Sequence, residues 1–242
     1  MRRAGDRAPQ PTLLYAYGFM NHVLTAGWMP AVSAFSAAGG ASVFLHLRGG
    51  GEYGPESWHH AQANRRETTV EDVFAVIRHL VQLGISDPDR IAFSGGSAGG
   101  LLAGILLTER PDLFRVVAAI APLTDYVRFV ELQGPTQEFG ALAREGEREE
   151  LESLSPYHLV RDGRRYPAVL IGCGDRDANC PPWHARKLAA RLREANGAAT
   201  PIVLRVWQGG HEVCDAVAGI GERGTECLAF LMDGLGMSAA LP

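Results

Sequence analysis

The sequence predicts a single α/β domain, residues 1–242, on a mostly parallel central sheet with helices on both faces. Three observations predict it. Short apolar runs recur along the chain, helical patterns fall between them, and glycine-rich or charged residues gather just after the runs. Short runs without polar alternation fit strands buried on both faces of a parallel sheet. Alternation of strand and helix then lays the helices over those faces.

The elements follow in order. "TLLYAY" (12–17) and "SVFLHL" (42–47) read as the first two strands. "TTVEDVFAVIRHLVQLG" (68–84) reads as a helix with a threonine cap, an acidic first turn and a stop at Gly84. "RIAFSG" (90–95) is the third strand, with the helix "LLAGILL" behind it, and "VVAAIA" (116–121) is the fourth. "ALAREGEREELESL" (141–154) is a charged, helix-favouring stretch whose plainest role is a solvated face. "AVLIGC" (168–173) is the fifth strand, followed by the helix "PPWHARKLAARLREANG" (181–197), which opens on prolines and closes at Gly197. After the sixth strand, "IVLRVW" (202–207), comes a glycine-weakened helical pattern over 214–236.

Composition narrows the function. A net charge of −4 without a basic stripe does not suit nucleic acid or an anionic membrane surface. No apolar run approaches the roughly 20 residues that span a bilayer, and the N-terminal stretch does not have the form of a secretory leader. Cys173, Cys180, Cys214 and Cys227 are too few for a disulfide framework in a chain this long. The expectation is a reduced, cytoplasmic protein.

In open α/β sheets, ligands sit beyond the carboxyl ends of the strands, and that is where the unusual residues lie. Gly95-Gly96-Ser97-Ala98-Gly99 matches G-x-S-x-G between a strand and a helix. An isolated match is commonly a Gly/Ser turn; strand and helix context favours a nucleophile on a tight elbow. A serine needs a general base oriented by a carboxylate, and this architecture orders them Ser, acid, His. The loop after the fifth strand offers Asp175 and Asp177, and "GGH" after the sixth offers His211. The default for the other seven histidines is structural, with His59, His60 and His184 as candidates for the site wall.

Two rival chemistries carry less weight. Gly49-x-Gly51-x-x-Gly54 with Glu71 and Asp72 downstream formally fits a dinucleotide fingerprint, but it follows the second strand and runs into Pro55. Cys173, Cys180, His211 and Cys214 match no standard zinc spacing. No metal or cofactor is therefore expected.

The ordered set "RGGGEYG", "GGSAGG", "RPDLF", "LSPYHLV", "CGDRDANCPPWHARKL" and "GGH" resembles the prolyl oligopeptidase family of serine peptidases, from about residue 11 to about residue 235. The resemblance implies the α/β-hydrolase fold, with the opening hairpin and the family's β-propeller missing from this chain. It implies Ser97 as nucleophile, Asp177 as acid with Asp175 the alternate, and His211 as base. Tyr17, in "LYAYGF", and the N–H of Ala98 would hold the oxyanion. Asn179 stands where the family has a substrate-binding arginine, and the tryptophan that stacks on proline is not evident near Pro135. Substrate contacts are expected from Asn179, Arg48 and Phe139. The expectation is a serine-type peptidase or esterase acting on a small peptide or ester, without strict proline specificity. A second copy or a separate covering chain is the expected partner. The alternatives are a non-catalytic, partner-binding domain and an esterase or acyl transferase of a biosynthetic pathway.

Overall fold

The structure, a computed structural model, describes residues 9–25, 27, 29–59, 66–133, 148–215 and 221–237. Six strands form one sheet in the order β2-β1-β3-β4-β5-β6. They are β1 (Gln10–Tyr15), β2 (Ala41–Phe44), β3 (Ser86–Gly96), β4 (Val116–Ile120), β5 (Ala168–Gly174) and β6 (Ile202–Trp207). Every pairing between these strands is parallel. From β1 the chain first steps outward to β2, then returns to place β3 on the other side of β1. That reversal is a topological switch point, where crevices open at the carboxyl ends of the strands.

Side chains alternate between the two faces of each strand, so each face carries its own core. Leu14, Phe93, Val117, Ala119, Val169 and Ile171 point to one face. There they meet α3 (Arg66–Gln82), α4 (Ala98–Glu109) and α8 (Trp183–Ala195), through residues such as Val73, Leu102 and Leu188. Leu13, Ala92, Val116, Ala118, Ile120 and Leu170 point to the other, against α1 (Pro30–Ala37) and α9 (Glu222–Gly234). α4 is buried from Ala98 to Thr108. A helix apolar on all sides belongs in the middle of a core, and Gly104 lets Pro156 lie directly against it: a Cβ there would come within 2.8 Å of the proline ring.

Edge strand β6 is locked to α9. Arg205 gives two hydrogen bonds to Glu226, at 2.8 and 2.7 Å, and the Trp207 indole N–H gives a third at 2.7 Å. The Trp207 ring covers Gly172 of β5, where a Cβ would sit 2.3 Å from it.

Two details differ from the sequence reading. α1, "PAVSAFSA", which the sequence reading did not place, opens on Pro30 and is followed by Gly39 at φ 91°, although it has no charged residue at its ends and no side-chain cap. The pattern over 214–236 is not one helix: His211–Asp215 form a 3-10 turn and α9 starts at Glu222, behind Gly221 at φ 103°. Of the charged stretch over 141–154, α6 (Arg148–Leu154) is described, and 141–147 lie outside the described residues. Among the described residues, no helix is long and apolar enough to cross a membrane.

Candidate active site

Ser97 stands where β3 becomes α4, beside the switch point. Its backbone is at φ 57°, ψ −118°, a strained conformation for a residue with a Cβ. Its N–H donates to the Ile120 carbonyl of β4 at 2.9 Å, which fixes the turn to the neighbouring strand. The flanking glycines are required by space. A Cβ on Gly95 would lie 2.3 Å from the Gly99 carbonyl oxygen, and one on Gly99 would lie 2.4 Å from that of Ala16. Ala98 is the first residue of α4, so its N–H has no carbonyl to bond within the helix. The helix presents its positive end there.

Asp177 and His211 come from the loops after β5 and β6. His211 Nε2 is 2.9 Å from Ser97 Oγ. On the other side of the ring, Nδ1 is 2.9 and 3.1 Å from the two Asp177 carboxylate oxygens. A carboxylate only accepts, so Nδ1 carries the proton and Nε2 keeps its lone pair for the serine. The Asp177 side chain is fully buried, and its Oδ1 also accepts the N–H groups of Asn179 (2.9 Å) and Cys180 (2.8 Å). The carboxylate is held by its own turn before the histidine reaches it.

The histidine loop is clamped to the aspartate loop. Gly209 N–H donates to Asp175 Oδ1 at 2.9 Å, and Arg176 N–H donates to the Gly209 carbonyl at 3.0 Å. Glu212 folds back so that both its carboxylate oxygens accept the Gly210 N–H at 3.0 Å. Asp175, the alternate acid in the sequence, thus holds the loop that carries His211 and does not reach the imidazole. Sequence reasoning missed Glu212; the signal available was an acidic side chain two residues beyond a glycine.

The remaining candidates are spread around this centre. Tyr17 lies two residues beyond β1, with its Cα 3.3 Å from where a Gly99 Cβ would stand. Its hydroxyl donates to Met20 Sδ at 3.9 Å, and its ring packs on His22 at 4.4 Å. Arg48 turns to α3: its guanidinium holds both oxygens of Asp72, and its N–H donates to Asp72 as well. Asn179 contributes its backbone N–H to Asp177 while the residue itself is exposed. Phe139, His60 and the stretch around Pro135 lie outside the described residues.

His184 is not a wall residue. It is 1% exposed, and its Nδ1 accepts the N–H groups of Thr124 (3.1 Å) and Asp125 (3.3 Å). Burial pushes its pKa down to about 3. Next to it lies a polar knot that the sequence did not announce. Buried Asp125 takes an ion pair from Lys187, a 3.3 Å contact from His158 Nε2 and the N–H of Arg128.

Residues 28–238 match the model of the prolyl oligopeptidase family. The chain belongs to that family. A peptidase of Rickettsia prowazekii is 35% identical over 182 residues, which is 73% of this chain and 25% of that protein. A prolyl endopeptidase of Elizabethkingia miricola is 32% identical over 201 residues, 81% of this chain and 28% of its own. Among solved structures, a prolyl endopeptidase superposes with a TM-score of 0.86 at 32% identity, covering 98% of this chain and 36% of its own. Oligopeptidase B from Leishmania major gives 0.87 at 27%, covering 97% and 34%. The chain spans about a quarter to a third of the length of these family members, over their α/β-hydrolase part.

Proposed function

We propose that this domain is a serine hydrolase that cleaves peptide or ester bonds through an acyl-enzyme, with peptides the first substrates to test. The observation that carries the reading is the unbroken chain from Ser97 Oγ to His211 Nε2 and from His211 Nδ1 to Asp177, on a strained strand–helix elbow. Ser97 Oγ attacks the carbonyl carbon while His211 Nε2 takes its proton. Asp177 keeps the imidazole in the right tautomer and stabilises it once charged. The tetrahedral oxyanion is received by the Ala98 N–H and the Tyr17 hydroxyl, which act where charge develops. His211 then protonates the leaving group, and water, activated by the same imidazole, releases the acyl group from Ser97. The resemblance to prolyl endopeptidases supports peptides as the substrate class. Exposed Asn179, in place of a forked arginine, supports a broader choice than proline, since an amide cannot supply the bidentate contact of a guanidinium.

A fluorophosphonate probe, which mimics the tetrahedral state, tests the reading. Stoichiometric labelling at Ser97, found by peptide mass spectrometry and lost in Ser97→Ala and His211→Ala, is the expected result. A folded protein that leaves the probe untouched would show that the triad geometry does not activate the serine and would favour a binding role.

A further inference from the structure

The Tyr17 hydroxyl, read above as an oxyanion donor, donates to a thioether, a weak acceptor. That thioether belongs to Met20, which is 55% exposed. Both Met20 and Asn21 have positive φ, 61° and 53°. The turn is held by Asn21 N–H to the Gly49 carbonyl (3.2 Å) and His22 N–H to the Phe19 carbonyl (3.1 Å). The turn carries the sulfur that meets the Tyr17 hydroxyl, on a residue open to solvent. Met29, Met232 and Met237 are all part-buried.

We propose that Met20 is an oxidative modification site for small peroxides, and that its sulfoxide holds the Tyr17 hydroxyl away from the oxyanion. This rests on the proposed function of the same site. A sulfur lone pair attacks one oxygen of hydrogen peroxide, the O–O bond breaks, and the other oxygen leaves as water. Sulfur is oxidised, peroxide is reduced, and no further reactant is needed. The product carries an S–O oxygen where a soft lone pair had been, which makes the apolar side chain polar. A thioether gives up the Tyr17 hydroxyl readily to a developing oxyanion; the sulfoxide oxygen competes for it. Loss of one oxyanion donor typically slows such chemistry by about 10²–10³-fold.

Among the cysteines whose burial is described, oxidation does not compete on equal terms. Cys173, Cys180 and Cys227 are buried, and burial pushes the thiols of Cys173 and Cys227 up to about 11 and about 12, far from the reactive thiolate.

The test follows the fluorophosphonate labelling rate of Ser97 before and after limited hydrogen peroxide, with Met20 oxidation quantified by mass spectrometry. Each variant is compared with its own untreated rate. Oxidation should slow the wild-type protein by about 10²-fold. Methionine sulfoxide reductases should restore the rate, and a thiol reductant should not. Met20→Leu should show no peroxide response, and Tyr17→Phe, lacking the hydroxyl, should be slow already and gain no further loss. Unchanged labelling of a Met20-oxidised protein would overturn the proposal, as would an equal loss in Met20→Leu. Absence of labelling in the untreated protein is a different result: it removes the proposed function itself, and this inference with it.

Discussion

At the scale of single residues, the site depends on which nitrogen of His211 holds the proton. Asp177 decides that, and its other bonds, from Asn179 and Cys180, keep it in place whether or not the imidazole is there. Asp177→Asn keeps the shape but offers an N–H₂ to Nδ1, which moves the ring proton to Nε2 and removes the acceptor facing Ser97. A change of this kind costs roughly 10⁴-fold in kcat, with KM little altered. Steady-state kinetics on a chromogenic ester or peptide checks it; a loss below about tenfold would mean that Asp177 does not set the tautomer. Ser97 was legible in the sequence because glycines on both sides of a serine have a steric meaning. The Tyr17–Met20 contact was not, since it depends on two residues with positive φ that no local pattern announces.

At the scale of elements, the site is a joint between the loops after β5 and β6. The single bond from Gly209 N–H to Asp175, with the return bond from Arg176 N–H, sets where His211 stands relative to Ser97. Asp175→Ala should lower kcat/KM by about 10–10²-fold, because a shift of about 1 Å at a reacting group is costly. Asp175→Asn, whose amide oxygen still accepts the Gly209 N–H, should recover most of the loss. Equal damage from both variants would assign Asp175 a charge-based role instead. The strands and their order around the site were readable because apolar runs and turn residues are local signals. The clamp was not, since two acidic residues two apart on one loop look alike until the partner loop is present.

At the scale of the whole molecule, the neutrality of the buried His184 side chain is a condition of the fold. His184 is buried against Trp183, with Asp125 and Lys187 near it. Burial is the main cause of its low pKa, Lys187 adds to the effect and Asp125 opposes it. The unfolded chain binds a proton here below about 6.5, while the folded chain resists until about 3, so stability falls as pH falls through that window. Asp125 extends the trend at the acid end. Burial works against its charge, but Lys187, the Arg128 N–H and His158 hold its carboxyl below the usual range. The stability read from urea unfolding should fall steadily from about pH 7 to about pH 4.5, by on the order of a few kcal/mol, and the urea midpoint with it. His184→Gln should flatten that slope, and a midpoint constant over the range in the unmodified protein would contradict the assignment. The sequence could not show this knot, because Asp and Lys are read by default as surface residues and the knot's members stand far apart along the chain.

The parts of the site are far apart along the chain: Ser97 and His211 are 114 positions from each other, and β4, β5 and β6 must all join the sheet before they meet. Pairings of such long range form late, because loop closure must precede the contacts that reward it. Synthesis runs from the N-terminus, so the serine elbow emerges well before its base does. Under the proposed function, a chain still being made has a nucleophile with nothing to deprotonate it. Cleavage begins only once the last strand has docked, which spares both the nascent chain and its neighbours from an enzyme that is not yet folded.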